Sequence, residues 1–337
     1  MAAALAAACV GSSCASPTPT LVVYASDDGL AEWIEASYGA SHPGEVLRVE
    51  TLTSDDALKR LEAEAAAPVA DVWLGAPSWM LARAAERGFL GATAPAWAVG
   101  LSEDMKDPDG QWTGWTADPM VLAFNTDRTA RGRAPRDWID LFHPRWTGDV
   151  LLQDPRGSDA MVAFIGFQVA RAAGEVGDET PGFDWLARLD ATRKAYVTDP
   201  NELMRRLGSG DVAVAPVPLS LAQRTGDAGR PVDYRVPETG SPSLLRGVAM
   251  VGGAPHAEAA IVLVAWLGTP EAQLEVARRF AYVPVAPDVP VEGVAWLANV
   301  QSLLRLEFPP AGTLATHLDG WLSRWREEVM GRTNRVF

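Results

Sequence analysis

Cysteine is almost missing from this sequence. The 337 residues contain two, Cys9 and Cys14, and both precede the first apolar β-type run. The body of the chain is therefore free of thiols, which excludes a disulfide scaffold and a cysteine nucleophile. Basic clusters are missing too. The formal net charge is -14, and Lys and Arg occur singly or in pairs such as Arg205-Arg206 and Arg278-Arg279. A nucleic-acid partner needs a basic stripe to neutralise phosphates, so none is expected. No apolar run is long enough for a bilayer, which takes about 20 residues. The longest apolar helix candidate, Ala257 to Leu267, reads as a buried helix.

Signatures of catalysis are equally scarce. The chain has no G-x-S-x-G elbow, no P-loop and no dinucleotide fingerprint. Its four histidines (His42, His143, His256 and His317) are far apart, with no H-x-x-x-H or C-x-x-C spacing for a metal. Neither a resident cofactor nor a structural metal is expected. What remains is ordinary globular material, 48% hydrophobic and 21% charged, long enough for two lobes rather than one core. The acidity serves solubility first and hints at a cationic ligand only second.

The N-terminal segment, residues 1–20, reads as an export signal running into a flexible tether. Small apolar residues to Val10 give way to Gly11-Ser12-Ser13 and then to Ala15-Ser16-Pro17-Thr18-Pro19-Thr20. No Lys or Arg precedes Arg48, and the apolar stretch is short. A start codon placed too far downstream accounts for both. Ala6-Ala7-Ala8-Cys9 resembles a bacterial lipoprotein cleavage site, so Cys9 is the expected lipidation site and Cys14 a poorer candidate. A plain secretory signal with incidental cysteines is the alternative.

From Leu21 the pattern alternates between strand and helix. Leu21 to Tyr24 is an apolar strand that stops at Ser26-Asp27-Asp28-Gly29, and helical spacing begins at Leu30. In open α/β sheets ligands sit at the carboxyl end of such strands, where helix N-termini offer free N–H donors. Val46 to Leu52 and Ala70 to Leu74 are further strands, with helices at Ala57 to Ala67 and from Ser78 to Arg87. This spacing predicts βαβ units with a parallel sheet. Trp112 to Asp127 is one extended run broken by Asp118-Pro119, which is read as a strand crossing between two sheets at Ala117 to Met120.

Asp149 to Gln153 ends at Asp154-Pro155-Arg156-Gly157-Ser158-Asp159 before a helix from Ala160, repeating the opening design. Val212 to Val217 leads into a helix starting at Pro218. Gly240-Ser241-Pro242-Ser243 precedes the strand Leu245 to Val251, the best place for a return crossing. Helices follow at Pro255 to Leu267, Glu271 to Phe280 and Ala315 to Val329.

The order of V-V-Y-A-S-D-D, A-D-V-W-L-G-A-P, W-T-G-W with V-L-A-F-N-T-D, W-I-D-L-F-H-P-R-W-T-G-D-V, D-P-R-G-S and R-G-V-A-M-V-G-G-A-P-H-A-E-A-A carries a family resemblance. The chain resembles the periplasmic solute-binding proteins of ABC importers, of the type 2 group that includes ferric-iron-binding proteins. The resemblance implies an α/β, two-lobed fold of the periplasmic-binding-protein kind with two hinge crossings. It assigns residues 21–117 and 244–290 to the first lobe, and 118–243 and 291–337 to the second. It also implies a monomer outside the cytoplasmic membrane that takes a small molecule or ion and presents it to an ABC permease.

Iron-binding relatives use a His in the first turn, a Glu after the A-D-V strand and two adjacent Tyr in the second lobe. Here the first position matches Asp28, and the second falls near Ala76, a lip position that cannot ligate. The Tyr pair belongs near Val217 to Ser220, yet no Tyr occurs between Tyr196 and Tyr234. Hard Fe(III) suits anionic oxygen ligands, and most of the set is gone.

The remaining candidates each have a plain structural alternative. Asp27 and Asp28 are helix caps, ligand carboxylates for a cation, or a solvated turn. Gly157, Ser158 and Asp159 form the second lip, although N-capping alone explains Ser and Asp there. Pro218 and Ser220 stand in the next turn, where Pro at a helix start is structural. Ser26 belongs to the first lip, and Asp118 at the crossing serves either a hinge bond or a ligand. Trp73, Trp79, Trp112 and Trp115 are core residues or an aromatic wall for a cation. An enzyme on a two-lobed fold and a ligand sensor for a membrane receptor are the rival functions. Loaded with Fe(III), the purified protein is expected to stay colourless. A strong tyrosinate band in the visible spectrum would overturn the reading of a lost iron site.

Overall fold

A computed structural model describes residues 20–330. The expected export segment, with Cys9, lies outside the described residues.

The first lobe opens with β1 (Thr20–Ala25), α1 (Asp28–Ser41), β2 (Val46–Thr51), α2 (Ser54–Ala63), β3 (Val72–Pro77) and α3 (Ser78–Glu86), followed by the two-residue β4 (Leu90–Gly91). β1 pairs in parallel with both β2 and β3, as the βαβ spacing predicts. α2 starts earlier than its Ala/Glu-rich core suggests, because the Thr53 hydroxyl accepts the backbone N–H of Asp56 and caps the helix there. The A-D-V motif has a structural cause. Asp71 is fully buried and accepts the N–H groups of Val22 (2.8 Å) and His256 (2.7 Å), fixing the entry to β3 against β1 and the loop before α8 (Ala257–Leu267).

The long strand β5 (Thr113–Asn125) is buried throughout. The second lobe then adds β6 (Val150–Gln153), α4 (Asp159–Val176), α5 (Thr180–Asp190), β7 (Arg193–Val197), α6 (Pro200–Gly208), β8 (Val214–Pro218), α7 (Leu219–Asp227) and β9 (Val232–Arg235). β10 (Ser241–Val251) returns to the first lobe and is followed by α8, α9 (Pro270–Phe280) and β11 (Val283–Pro284). The chain closes with α10 (Ala295–Val300), β12 (Leu306–Glu307) and α11 (Ala311–Arg324).

Strand order runs β2-β1-β3-β10-β5-β8-β6-β7. β5 belongs to both halves. Its residues Thr113 to Pro119 pair antiparallel with β10, and Met120 to Phe124 pair antiparallel with β8. The switch falls at Pro119, which has no N–H for a ladder, so the kinked crossing expected at Ala117 to Met120 is present. β10 makes the return: Ser241 and Pro242 pair with β12, and from Ser243 the strand pairs with β5.

Two hydrophobic cores flank the sheet. On one side Trp33 stacks on Trp115 (5.7 Å between ring centroids) and on Trp266 (5.3 Å). The other joins α3, β5 and the second lobe, and reaches Trp321 and Trp325 near the chain's end. Trp73, Trp79, Trp112 and Trp115 are at most 4% exposed and pack in the cores, and Trp79 also borders the space between the lobes.

α11 is held on one flank by α3 and on the other by the start of α5. Arg83 of α3 donates through Nε to the Ala315 carbonyl (2.8 Å) and pairs with Asp319 (3.1 Å). On the other flank Trp321 Nε1 donates to Glu179 (2.8 Å) beside α5.

β10 carries a register shift on both flanks beside Gly247, between Gly247 and Val248 against β3 and between Arg246 and Gly247 against β5. Such irregularities twist a strand and re-aim a side chain. A Cβ on Gly247 would stand 2.5 Å from Leu81 Cδ1 and 2.9 Å from the Thr113 carbonyl oxygen. Gly247→Ala is therefore expected to cost about 1–3 kcal/mol in urea unfolding, the usual penalty of overpacking. A neutral result would show that the strand relaxes freely at this point.

Candidate functional site

Between the lobes lies a cleft of about 500 Å³. Ser26, Asp55 and Trp79 line it from the first lobe, Gly157, Ser158 and Asp159 from the second, and Leu318 and Asp319 of α11 from the side. Of the two turns expected as lips, Ser26 from the first and Gly157, Ser158 and Asp159 from the second line it together.

Hydrogen bonds sort the acidic candidates. Asp27 is the N-cap of α1 and accepts the Leu30 N–H (2.9 Å). Asp28 is the first residue of that helix and is exposed. Cap and free carboxylate are thus divided between the neighbours. Ser26 donates its backbone N–H to the Leu74 carbonyl (3.1 Å), and its hydroxyl is buried with no partner. That hydroxyl occupies the space a side chain at Gly75 would need: a Cβ there would lie 2.4 Å from it.

Asp118 is 3% exposed and accepts both the Ser220 N–H (3.1 Å) and the Ser220 hydroxyl (2.6 Å). Desolvation raises its carboxyl above the ordinary range, against the lowering effect of those two bonds. Ser220 is therefore committed to the hinge, tying α7 to β5, and is not free for a solute. Pro218 is buried in β8, paired with Met120. Ala76 is fully buried in β3 and packs into the core, so its side chain offers nothing to a ligand.

In the second lip Ser158 caps α4 by accepting the Met161 N–H (3.2 Å). Gly157 is needed for a different neighbour than a solute: a Cβ would meet the Thr198 carbonyl oxygen at 2.3 Å. Asp159, the first residue of α4, stays open to the cleft. Desolvation by the surrounding protein raises its carboxyl, and the positive charge of Arg246 works the other way.

Sequence reasoning missed Arg246, whose charge acts on acidic residues of both turns and of the hinge. It stands on β10 opposite Thr116 of β5, at the strand irregularity. Its Nη1 donates to the Gly75 carbonyl (3.3 Å), its guanidinium lies 5.2 Å from the centre of the Tyr282 ring, and its Nε is buried without a partner. Among the described residues no carboxylate comes within ion-pair distance of it. Desolvation works to lower the guanidinium pKa; Tyr282, Asp159, Asp118 and Asp27 around it outweigh that and raise it. Tyr282 is 7% exposed, and desolvation raises its phenol while Arg246 opposes the shift. Its hydroxyl makes no hydrogen bond to the described residues. Thr116, fully buried beside Arg246, also has an unpartnered hydroxyl. The sequence does carry a signal for this: Arg246 is the one charge in the run S-L-L-R-G-V-A-M-V.

No group of three or more His, Cys, Asp or Glu side chains among the described residues is arranged to hold a metal ion.

The chain is similar over 92% of its length to a probable ABC transporter periplasmic-binding protein, y4fP, of Sinorhizobium fredii, at 27% identity and covering 86% of that protein. It is also 27% identical to iron uptake protein A2 of Synechocystis, over 74% of this chain and 75% of the relative. Among solved structures it matches AfuA, a periplasmic binding protein of Actinobacillus pleuropneumoniae with exogenous fructose-6-phosphate bound. That match has a TM-score of 0.73 at 20% identity and covers 92% of this chain and 98% of AfuA. The sequence profile of the bacterial extracellular solute-binding proteins matches residues 33–301, and the chain belongs to that family.

Proposed function

We propose that this protein captures a small organic oxyanion between its two lobes and presents it to the membrane permease of an ABC importer. The observation that carries the reading is Arg246. A guanidinium has five N–H donors in a planar fork. Here one bond, to the Gly75 carbonyl, is made, while Nε is left buried and unsatisfied. Leaving donors of a charged group dry and unpaired is costly, and a bound carboxylate, phosphonate or phosphate removes that cost with a charge-assisted, bidentate contact. The unbonded hydroxyls of Thr116 and Tyr282 beside it add neutral donors for the same oxygens.

The same residue argues against ferric iron. A metal cation would sit against a fixed positive charge, without the tyrosine pair that iron-type relatives place opposite. The fold is shared by iron-bound and sugar-phosphate-bound neighbours, so the residues decide between them. Solute binding rather than catalysis fits the family, and the extracellular side of the membrane fits an anchor at Cys9, which lies outside the described residues. The lobes are read as residues 21–117 with 244–290, and 118–243 with 291–337. In this arrangement α11 leans on both.

Two measurements test the reading. Calorimetric titration with a simple alkylphosphonate is expected to show binding that Arg246→Gln weakens by about tenfold to a hundredfold, the range for a charged hydrogen bond. The variant's melting temperature, measured alongside, separates a lost contact with the ligand from a loss of fold. Equal affinity in the variant would exclude Arg246 from the site. Small-angle scattering should show a more compact particle with saturating ligand, the result of closure about the Pro119 and Ser243 crossings. An unchanged shape would sink the closure model.

A further inference from the structure

Away from the cleft, arginine gathers in a chain that is otherwise strongly acidic. The run from Arg128 to Arg136 holds four arginines and no carboxylate, against a net charge of -14 for the whole. It follows β5 directly, and its start is fixed. The Asn125 side chain, 1% exposed, accepts the N–H groups of Asp127 and Arg128 (both 3.0 Å) and donates to the Leu207 and Gly208 carbonyls (2.9 and 3.1 Å). Arg128 then lays its fork on Asp149 (2.7 and 2.9 Å) and reaches the Gly210 carbonyl (3.1 Å). Asp149 also accepts the Ala213 N–H (3.0 Å). These bonds build one rim of a pocket of about 220 Å³, lined as well by Thr129, Arg133, Arg145 and Trp146. Asp149 stands just before β6, and the cleft's Gly157–Asp159 turn follows the other end of that strand, so the length of β6, about 13 Å, lies between pocket and cleft.

The charges of this pocket do not cancel. Asp149 is taken up by Arg128 and a backbone N–H, so it neutralises that arginine and no other. The guanidiniums of Arg133 and Arg145 make no hydrogen bond or ion pair to the described residues. Each carries five N–H donors and no acceptor. Arg145 lies over the Trp146 ring, 4.4 Å from its centre, a contact that uses none of those donors. Trp146 is itself 5% exposed, and its indole N–H is buried with no partner. A structural role accounts for Arg128 and for the ring contact of Arg145. It accounts neither for Arg133 nor for two like charges sharing one small pocket, where they repel.

We infer that this pocket is a second ligand site, which takes a phosphate group on Arg133 and Arg145, against Trp146 and the Arg128–Asp149 rim. A phosphate monoester carries about -1.5 to -2 charges at pH 7, which matches two guanidiniums, and each can meet it with a forked contact. The pocket is smaller than the roughly 300–1,000 Å³ of sites for drug-sized ligands, so it encloses an anion and little more. Soluble phosphates and the headgroup of an acidic phospholipid present the same chemistry. The inference does not rest on the oxyanion reading of the cleft, since the two sites share no residue.

The test titrates the full chain with inorganic pyrophosphate at low salt, by calorimetry and by NMR of the indole N–H signals. Binding is expected to move the signal that disappears in Trp146→Phe. Arg133→Gln combined with Arg145→Gln should weaken that binding about tenfold or more, the value of a charge-assisted contact, while Arg246→Gln leaves the shift unchanged. Arg133 and Arg145 are exposed, so the double variant should keep the native melting temperature. Co-sedimentation with vesicles of phosphatidylcholine and phosphatidic acid, against phosphatidylcholine alone, separates the two sources. Binding of pyrophosphate that the double variant loses identifies a site open to soluble phosphates. Binding to the acidic vesicles alone, lost in the same variant, identifies a lipid headgroup. If the native chain binds neither, or if the double variant binds as the native chain does, the pocket is no anion site and the inference is overturned.

Discussion

The antiparallel ladder between β5 and β10 is the constraint on which the rest of the molecule depends. Both strands pass from one lobe to the other, so they are at once the centre of the sheet and the connection across it. A ladder there must be continuous enough to hold the lobes in register and weak enough at one level to bend. Pro119 supplies the weak level by removing a donor where β5 changes partners. The register shifts of β10 beside Gly247 supply a second effect. They turn the strand locally just where Arg246 leaves it, and Gly247 lets β10 approach α3 and Thr113 closely enough to hold that turn. Backbone geometry and site chemistry therefore have one origin: the irregularity that lets the strand fit also places a guanidinium between the lobes.

Electrostatics at the site is decided by which carboxylates are already bonded. Four acidic side chains occupy or approach the cleft from the two turns and the hinge: Asp27, Asp28, Asp118 and Asp159. By charge alone they would make the region a cation trap. Hydrogen bonding changes that count. Asp27 is absorbed by a helix cap, and Asp118 is held by two donors from one serine while burial raises its pKa. Asp28 and Asp159 keep unbonded carboxylates, Asp55 lines the cleft as well, and Arg246 is the buried cation whose charge acts on Asp159.

Most of the fold was legible because its signals are local. Strand runs ending in Ser-Asp-Asp-Gly or Asp-Pro-Arg-Gly-Ser, Gly88 after α3 and the Asp118-Pro119 break lie within a few residues of the features they specify. The short strands β9 and β12 and the helix α5 escaped, since each is defined by partners elsewhere in the chain more than by its own periodicity. The site was legible only in outline. The turns after β1 and β6 were legible, but the roles of the candidate residues depended on contacts with distant parts of the chain. Ser220 looked like a ligand contact until Asp118 took its hydroxyl, and Gly157 until Thr198 filled the space above it. Ala76 was placed by analogy and belongs to the core. Arg246 and Tyr282 are 36 positions apart, neither matches a motif, and only the pairing of β10 and β11 with β5 brings them together.

α11 adds a condition on any movement of the lobes. Arg83 reaches it from the first lobe, and Glu179 holds it from the second. If the lobes part when the solute leaves, one of these attachments must slide or break, because the helix cannot follow both. The Arg83–Asp319 pair is the weaker of them: Asp319 is 80% exposed, and an ion pair with one partner in water contributes about 0–1 kcal/mol. The Trp321 contact is backed by a buried indole and an additional bond from Arg324 to Glu179 (3.3 Å), so it holds the helix to the second lobe. Opening would then have to break both Arg83 contacts and part α3 from α11, while the β5–β10 ladder stays intact. A hinge built this way keeps the ladder's hydrogen bonds out of the motion and sets the cost of opening at the seam between α3 and α11.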